Sequence, residues 1–393
     1  MAVKRIRILG STGSIGLSAL AVISRHPEHF RVVGISAHRD ADALAEQRAS
    51  LGRPPVVLAD TGAELPAGET ASAAEGQGWS VGREALIEMA AAPGADIVLN
   101  AIVGAAGLEP TLAALEAGHT VALANKESLV AGGDLVLDAA KRGGGAIIPV
   151  DSEHSAILQC IEGKSPASVA ALTLTASGGS LRDRSATSTA GATVEEALDH
   201  PTWSMGAKIT IDSATLANKA LEVIEAHVLY RVPYGSIRAV IHPQSIVHSF
   251  VEFVDGSVLA QLGLPNMESP ILYALHFPNR VPDRELRTFD PVASSPLTFE
   301  EIDPVRYPLF GLGRSAGEAG GSAPAAFNAA NEVAVRAFLG GKARFGEIVE
   351  VVAFTLDAIG YRPTKSLEDV LAADAEARRI AESRLRTIKA TRS

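Results

Sequence analysis

The chain has 393 residues, 47% of them hydrophobic and 20% charged, and a net charge of −10 at pH 7. That length and apolar content suffice for a large core divided among two or three domains, while the acidic balance disfavours nucleic acid as a general partner, because a phosphate backbone needs a basic face. The single cysteine, Cys160, excludes an intrachain disulfide framework and a cysteine-rich zinc site, so any metal must take oxygen or imidazole ligands.

An apolar alternation opens within the first ten residues, from which no signal or transit segment and a cytoplasmic setting are expected. The longest apolar runs, near 97–103 and 147–150, are strand-sized and short of the roughly 20 residues that span a bilayer, so no membrane partner is expected. Strand-like runs at 6–9, 31–36, 56–58, 96–101, 120–123 and 146–150 alternate with amphipathic stretches, the pattern of an α/β parallel sheet covered by helices on both faces. Residues 60–78 lack periodicity and read as a surface excursion. Beyond 150, strands at 169–175, 238–242, 246–253 and 257–262 with a helix at 213–230 predict a central α+β catalytic domain. The Gly-, Ser-, Thr- and Arg-rich stretch 177–191 reads as a long mobile loop, and loops of that length are usually lids or linkers; a lid is expected at about 177–207. Prolines recur from Pro278 to Pro308, as in a connector, and the Ala-rich remainder, broken by Gly320-Gly321, Gly340-Gly341 and Gly360, predicts a C-terminal α-helical bundle. The expected division is 1–150 for nucleotide binding, 151–285 for catalysis, 286–311 as linker and 312–393 as the helical domain.

Gly10-Ser11-Thr12-Gly13-Ser14-Ile15-Gly16 follows the first strand directly and opens a helix, so backbone amides at a helix N-terminus can face a pyrophosphate, as in Rossmann-like domains. The spacing is GxxGxxG rather than the commoner GxGxxG, and a tight turn without a ligand is the alternative. Where an NAD enzyme normally places an acidic residue after its second strand, this chain has His38 and Arg39. A cationic side chain suits a 2′-phosphate, so NADPH is expected over NADH, with Asp40 capping the next helix. Asn125, Lys126 and Glu127 follow the strand at 120–124, at the carboxyl edge of the sheet where doubly wound folds bind ligands; a polar helix start is the alternative.

Asp151 and Glu153 lie two positions apart at the end of an apolar strand, and continuing that strand would point both carboxylates the same way. Two hard oxygen donors suit Mg²⁺ or Mn²⁺, with a solvated acidic edge as the alternative. The segment from Asp212 to Glu222 reads as a helix with Ser213 as N-cap, on which Asn218 and Glu222 share a face beside Lys219. A hydroxyl, an amide and an ammonium offer a phosphate three donors, with a carboxylate one turn on, which fits a phosphorylated substrate bridging to a metal.

Together with Ser177-Gly178-Gly179, His200-Pro201-Thr202-Trp203-Ser204-Met205-Gly206, the stretch His242 to His248 and Asn328-Ala329-Ala330-Asn331-Glu332, these segments resemble the 1-deoxy-D-xylulose 5-phosphate reductoisomerase family over essentially the whole chain. The resemblance implies conversion of 1-deoxy-D-xylulose 5-phosphate to 2-C-methyl-D-erythritol 4-phosphate in non-mevalonate isoprenoid biosynthesis. Rearrangement of the carbon skeleton by retro-aldol cleavage and re-addition would precede hydride delivery from NADPH. It implies Asp151, Glu153 and Glu222 as ligands of Mg²⁺, Mn²⁺ or Co²⁺, and Ser177, Ser213, Asn218 and Lys219 around the substrate phosphate. Ser152 would contact the substrate backbone, Lys126, Glu153, His154, His200 and His248 would be active-site groups, and His200 and Trp203 would sit on the lid. For the cofactor it implies Gly10, Ser11, Thr12, Gly13, Ser14, Ile15, Ala37, His38, Arg39, Asp40, Ala101, Asn125, Glu127, Met205 and Gly206. Met267 would line the substrate and nicotinamide end, with core packing as the alternative. Many members carry a Gly-Lys-Asn-like stretch where this chain has His38-Arg39-Asp40, which puts the 2′-phosphate contacts in question. A homodimer is also implied.

Two other readings stay open on sequence alone. A dehydrogenase of the aspartate-semialdehyde type also begins with a Gly-rich turn, but its chemistry needs a nucleophilic cysteine, and Cys160 lies in an apolar helical run. A non-catalytic NADPH sensor would have no use for the phosphate-and-carboxylate cluster around Glu222.

Overall fold

A computed structural model describes residues 3–66, 69 and 78–392 of the chain; the expected excursion at 60–78 falls largely outside the described residues. Two compact units form. The first comprises the chain up to Ser128, Asp134–Ser155 and Met267–Leu286; the second comprises Leu129–Gly133, Ala156–Asn266 and the chain from Arg287.

The first unit is built on β1 (Lys4–Leu9), β2 (Phe30–Ala37), β3 (Val56–Leu58), β4 (Trp79–Val81), β5 (Ile97–Asn100), β6 (Thr120–Leu123) and β7 (Ala146–Pro149). These strands form one sheet in the order β4-β3-β2-β1-β5-β6-β7, with every neighbouring pair parallel. Parallel strands need crossovers, and α1 (Ser14–Arg25), α2 (Ala41–Ser50), α3 (Arg83–Ala91), α4 (Leu108–Glu116), α5 (Lys126–Gly132) and α6 (Asp134–Gly143) supply them. The strand order reverses between β1 and β5, whose last residues, Leu9 and Asn100, pair in register. At such a switch point the loops after both strands diverge and leave a crevice. The sheet is the expected Rossmann-like one.

The helix α7 (Ser152–Ile161) follows β7, and α12 (Glu268–His276) packs against α1. Residues 151–155 and 267–286 therefore share a compact unit with the nucleotide half, although the sequence division assigns 151–285 to catalysis. The cause is polar as well as apolar. Arg25 donates to Glu268 at 2.6 Å and pairs with Asp283 at 2.9 Å, while Lys4 Nζ donates to the Leu275 carbonyl at 3.0 Å.

The second unit holds β8 (Val169–Ala176), β9 (Ile237–Ile241), β10 (Val247–Phe253), β11 (Val258–Leu262) and β12 (Glu300–Glu301) in the order β11-β10-β8-β9-β12. Only the β8–β9 pair is parallel. Leu172, Leu174, Val251 and Ile237 of this sheet pack on Val223 and Ala226 of a long helix. That helix is α11 (Ala217–Tyr230), preceded by α8 (Ala186–Thr189), α9 (Val194–Leu198) and α10 (Ala207–Thr215). The C-terminal bundle is α13 (Pro308–Ala319), α14 (Ala323–Leu339), α15 (Phe345–Ile359) and α16 (Leu367–Arg392), with Ala326, Ala329 and Ala377 in its core, small enough to let the helices approach closely.

One local expectation is corrected. The segment at 213–230 is not one helix capped by Ser213: Ser213 lies inside α10, and the chain breaks at Leu216, whose φ of 55° is left-handed. The stretch 177–191, expected as a mobile loop, contains α8; Arg306 donates to the carbonyls of Arg182 and Arg184, and Tyr307 Oη donates to the Gly178 carbonyl at 2.9 Å.

Candidate active site

In the first unit the turn after β1 requires its glycines. Gly10 has φ +84°, and a Cβ there would fall 2.8 Å from the Ala101 carbonyl oxygen. A Cβ on Gly16 would fall 2.4 Å from the Gly10 carbonyl oxygen, so the first turn of α1 lies directly against the loop. α1 starts at Ser14 with Gly13 as N-cap and no capping side chain, which leaves its first amides to an outside acceptor. Gly13 and Ser14 are exposed, and Thr12, Ile15 and Ala101 are partly buried. Ser11 differs: it is buried and its hydroxyl donates to Gln47 at 2.6 Å, so its side chain serves the fold.

At the end of β2, Ala37 is buried while His38, Arg39 and Asp40 are exposed. Asp40 caps α2 as the sequence suggests, accepting the Ala43 amide at 3.1 Å. The Arg39 side chain is 73% exposed and donates through Nε to Asp60. The Gly62 amide at 2.9 Å and this guanidinium hold the Asp60 carboxyl below its ordinary value. Asn125 is buried and donates to the carbonyls of Ile102 and Gly104 at 2.7 and 2.8 Å, clasping the loop that carries Ala101; Glu127 is buried beside it.

Lys126 opens α5, and its ammonium reaches Asp151 at 2.6 Å, both side chains being buried. Asp151 does not continue β7. The strand ends at Pro149, and Asp151 heads α7, its Oδ1 accepting the Glu153 amide at 3.2 Å and its carbonyl accepting the Ser155 amide at 2.7 Å. An aspartate suits this role because its carboxylate satisfies amides that the first helical turn leaves unpaired. Ser152 Oγ donates to Glu153 at 2.5 Å, and His154 is fully buried. Met267 is partly buried, at the N-cap of α12 and outside the core.

In the second unit, three predicted residues meet. His200 Nδ1 accepts the amides of Thr202 at 3.1 Å and Trp203 at 2.9 Å, which fixes the proton on Nε2. Nε2 lies 3.0 Å from Ser177 Oγ and 3.5 Å from Ser213 Oγ, and the two hydroxyls are 3.3 Å apart. Burial, with the nearby Arg182 charge, lowers the His200 pKa and keeps the ring neutral. Ser177 already accepts from the Gly179 amide at 3.2 Å, so with Nε2–H also pointing at it the Ser177 proton is left to donate. On α11, Asn218 and Lys219 each donate to one oxygen of the buried Glu222. The Trp203 ring centroid lies 6.4 Å from that of buried His248, while Met205 is partly buried and Gly206 exposed at the start of α10.

Sequence reasoning missed His242, which shapes the loop presenting His248. Its Nε2 accepts the amides of Ile246 and Val247, both at 3.1 Å, and its Nδ1–H donates to the Thr298 carbonyl at 2.8 Å. It missed Arg182 too, which donates to the Ser177 carbonyl at 3.1 Å.

Comparison with known proteins is decisive about kinship. A family model described as 1-deoxy-D-xylulose 5-phosphate reductoisomerase matches residues 6–133, and models of that family's C-terminal domains match 147–230 and 262–380. The chain belongs to the 1-deoxy-D-xylulose 5-phosphate reductoisomerase family. A reductoisomerase of Ralstonia nicotianae is 49% identical over 383 residues, 96% of this chain and 97% of that one; one of Burkholderia mallei is 47% identical over 382 residues, 96% of each. The solved Zymomonas mobilis reductoisomerase in complex with NADPH superposes with a TM-score of 0.86 at 39% identity, covering 98% of this chain and 99% of that one. A reductoisomerase solved with NADPH, fosmidomycin and magnesium gives 0.90 at 39% identity with the same coverage. Reductoisomerase membership removes the cysteine-dependent alternative, and the structure agrees: Cys160 is buried, and burial pushes its thiol up against the opposing charge of Lys164, away from the thiolate that attacks.

Proposed function

We propose that this chain converts 1-deoxy-D-xylulose 5-phosphate to 2-C-methyl-D-erythritol 4-phosphate, consuming NADPH and requiring a divalent cation, by skeletal rearrangement followed by hydride transfer. The observation that carries it is the full-length membership of the reductoisomerase family, with the hydroxyl cluster Ser177–His200–Ser213 and the Asn218–Lys219–Glu222 face intact. When bound, NADPH supplies the hydride and Mg²⁺ or Mn²⁺ polarises the substrate carbonyl.

The residues present fit both groups. The uncapped start of α1, against which only glycine can pack at Gly10 and Gly16, suits a pyrophosphate, and the exposed Arg39 suits a 2′-phosphate. Ala37, His38, Asp40, Ala101, Asn125, Glu127, Met205 and Gly206 complete the proposed cofactor set, with Ser11 contributing its backbone. Asp151, Glu153 and Glu222 offer only hard carboxylate oxygens, the donor type Mg²⁺ and Mn²⁺ prefer, and are assigned to the metal. Ammonium groups of Lys126 and Lys219 neutralise Asp151 and Glu222, a charge balance that a cation would take over.

Ser177 and Ser213 donate to the substrate phosphate, joined by Asn218 and Lys219. Neutral His200 orients the Ser177 hydroxyl and holds the Thr202–Trp203 backbone, so that Trp203 covers the substrate and excludes water. Ser152 and Met267 contact the substrate, and Lys126, Glu153, His154 and His248 surround the reacting carbons. The functional division runs 1–150, 151–285, 286–311 and 312–393, with the lid at 177–207. A homodimer is supported by edge strand β11, whose Val258, Leu259 and Leu262 are exposed. No helix of the described residues is long and apolar enough to cross a membrane, and we place the enzyme in the cytoplasm.

The test is a spectrophotometric NADPH assay with 1-deoxy-D-xylulose 5-phosphate and Mg²⁺, with and without EDTA. NADPH should be oxidised only with free metal. Asp151→Asn and Glu222→Gln should abolish turnover while NADPH binding stays nearly intact. Full activity in EDTA would overturn the metal assignment.

A further inference from the structure

The segment Asn328 to Glu332 belongs to the family pattern, yet nothing above gives it work. It lies on α14, and its Asn331 and Glu332 face a network that begins one residue before Ser213. Asp212 is buried, its Oδ1 accepting from Asn331 Nδ2 at 2.8 Å and its Oδ2 pairing with Lys208 Nζ at 2.7 Å, one turn earlier on α10. Glu332 accepts from Asn328 Nδ2 at 2.9 Å and pairs with Arg378 of α16 at 2.7 Å. Burial alone would raise the Glu332 carboxyl, but Lys208, Arg378 and the Asn328 bond outweigh it and hold the group below its ordinary value. The bonds Asn331–Asp212–Lys208 and Asn328–Glu332–Arg378, with the Lys208 charge acting on Glu332, thus tie α10 to α14 and place α16 in the same network of alternating charge.

Helical geometry makes this tie directional. Asp212 and Ser213 are neighbours, about 100° apart around α10, so fixing the Asp212 carboxylate fixes the azimuth of the Ser213 hydroxyl. The apolar residues of α10, Ile211 and Ala214, are buried but pack without a preferred direction. On another side, Gly179 touches α10 so closely that a Cβ would sit 2.4 Å from Ala214 Cα. A hydrogen-bonded pair selects one register where apolar packing would accept several, which is the best-attested benefit of burying polar groups.

We propose that Asp212 and Asn331 are positioning residues of the reductoisomerase reaction: the bond between them lets the C-terminal bundle set the direction in which α10 presents Ser213 to the substrate phosphate, with Lys208 and Glu332 holding the pair in place. This rests on the reading of Ser213 as a phosphate donor given above.

The test uses three variants of the full chain: Asn331→Asp, Asp212→Asn and the reciprocal double change. Asn331→Asp sets two carboxylates against each other; KM for 1-deoxy-D-xylulose 5-phosphate should rise about tenfold and kcat/KM fall about a hundredfold, while NADPH affinity, read by fluorescence titration, moves less than about twofold. The double variant restores a donor at 212 facing an acceptor at 331, and kcat/KM should recover to within about fivefold of the parent. The proposal is overturned if Asn331→Asp keeps the parental KM and kcat, if its loss is only a lower melting temperature with unchanged constants for the folded enzyme, or if the double variant is no better than the worse single. Failure of the parent chain to oxidise NADPH with this substrate and Mg²⁺ would instead sink the underlying functional reading.

Discussion

At the residue scale, ammonium groups sit on the carboxylates assigned to the metal: Lys126 on Asp151 and Lys219 on Glu222. Each removes the cost of an isolated buried charge. Lys219→Ala should therefore act twice, deleting a phosphate donor and removing an ammonium that pairs with Glu222. KM for the substrate should rise about 10–100-fold with a smaller drop in kcat, as expected for a charge-assisted bond; steady-state kinetics at saturating NADPH will show it, and an unchanged KM would remove Lys219 from the phosphate site. Histidine chemistry gives a second prediction. The folded His200 resists a proton that the unfolded chain takes up near the ordinary value of about 6.5. Its contribution to stability is fully present above that value and is lost as pH falls through the lower folded value. His200→Gln should melt at a lower temperature than the parent at pH 8, with the gap narrowing toward pH 5; a constant gap would mean the neutral ring is not the stabilising form. The sequence singles out these residue types because a phosphate or metal site would need such donors. The clasps are not legible in it. Asn125 looks like a further site polar group and His242 drew no role, and only folded geometry shows that their side chains bind loop backbone.

At the element scale, two misreadings share a cause. Nothing in Thr215-Leu216-Ala217 marks a helix break, because none of the three is Gly or Pro. Packing imposes the break: Leu216 is buried among Ala176, Ile241 and Tyr307, and that contact offsets the cost of a left-handed leucine, about 1–2 kcal/mol. The break separates Ser213 on α10 from Asn218 and Lys219 at the start of α11. Likewise, the period-two reading of Asp151 and Glu153 assumed a continuing strand, whereas an aspartate after Pro149 and Val150 serves equally to head a helix. The glycines were better guides, since Gly10 and Gly16 are dictated by contact rather than by pattern. Gly179→Ala should be a harsh small change: it places an alanine at φ +75° with its Cβ against the α10 backbone. We expect a loss of about 1–3 kcal/mol and a raised KM for the phosphorylated substrate. Gly178→Ala is the control, with a comparable φ of +83° but only the Arg182 and Ile241 side chains in the way at 3.0 Å or more. Thermal melts of both variants decide it; equal losses would mean that left-handed strain, not the approach to α10, governs Gly179.

At the scale of the whole molecule, periodicity revealed the succession of parallel sheet, α+β region and helices, because each architecture leaves its own apolar period. It could not reveal that 267–286 folds with the first unit, since that pairing joins residues more than two hundred positions apart. The tie is electrostatic as much as apolar. Asp283 is nearly inaccessible, and burial alone would push its carboxyl up; Arg25, the Glu285 amide and His26 outweigh burial and hold it below its ordinary value. Around it, His29 and His276 meet edge to face at 4.8 Å, and Lys4 caps the last turn of α12. Arg25→Ala removes the counter-charge of Asp283 and Glu268 together and should cost about 1–3 kcal/mol at pH 7, a partly exposed cation lying below the range for a fully buried pair. The sign with pH follows from the depressed carboxyl: stability drawn from ionised Asp283 is present above the ordinary aspartate value, about 3.9, and is lost as pH falls through the lower folded value. Parent and variant should therefore differ fully at pH 7 and converge as pH falls below about 4. Urea titrations across that range test it, and a difference that persists undiminished in acid would show that Arg25 stabilises α12 through packing of its stem rather than through its charge.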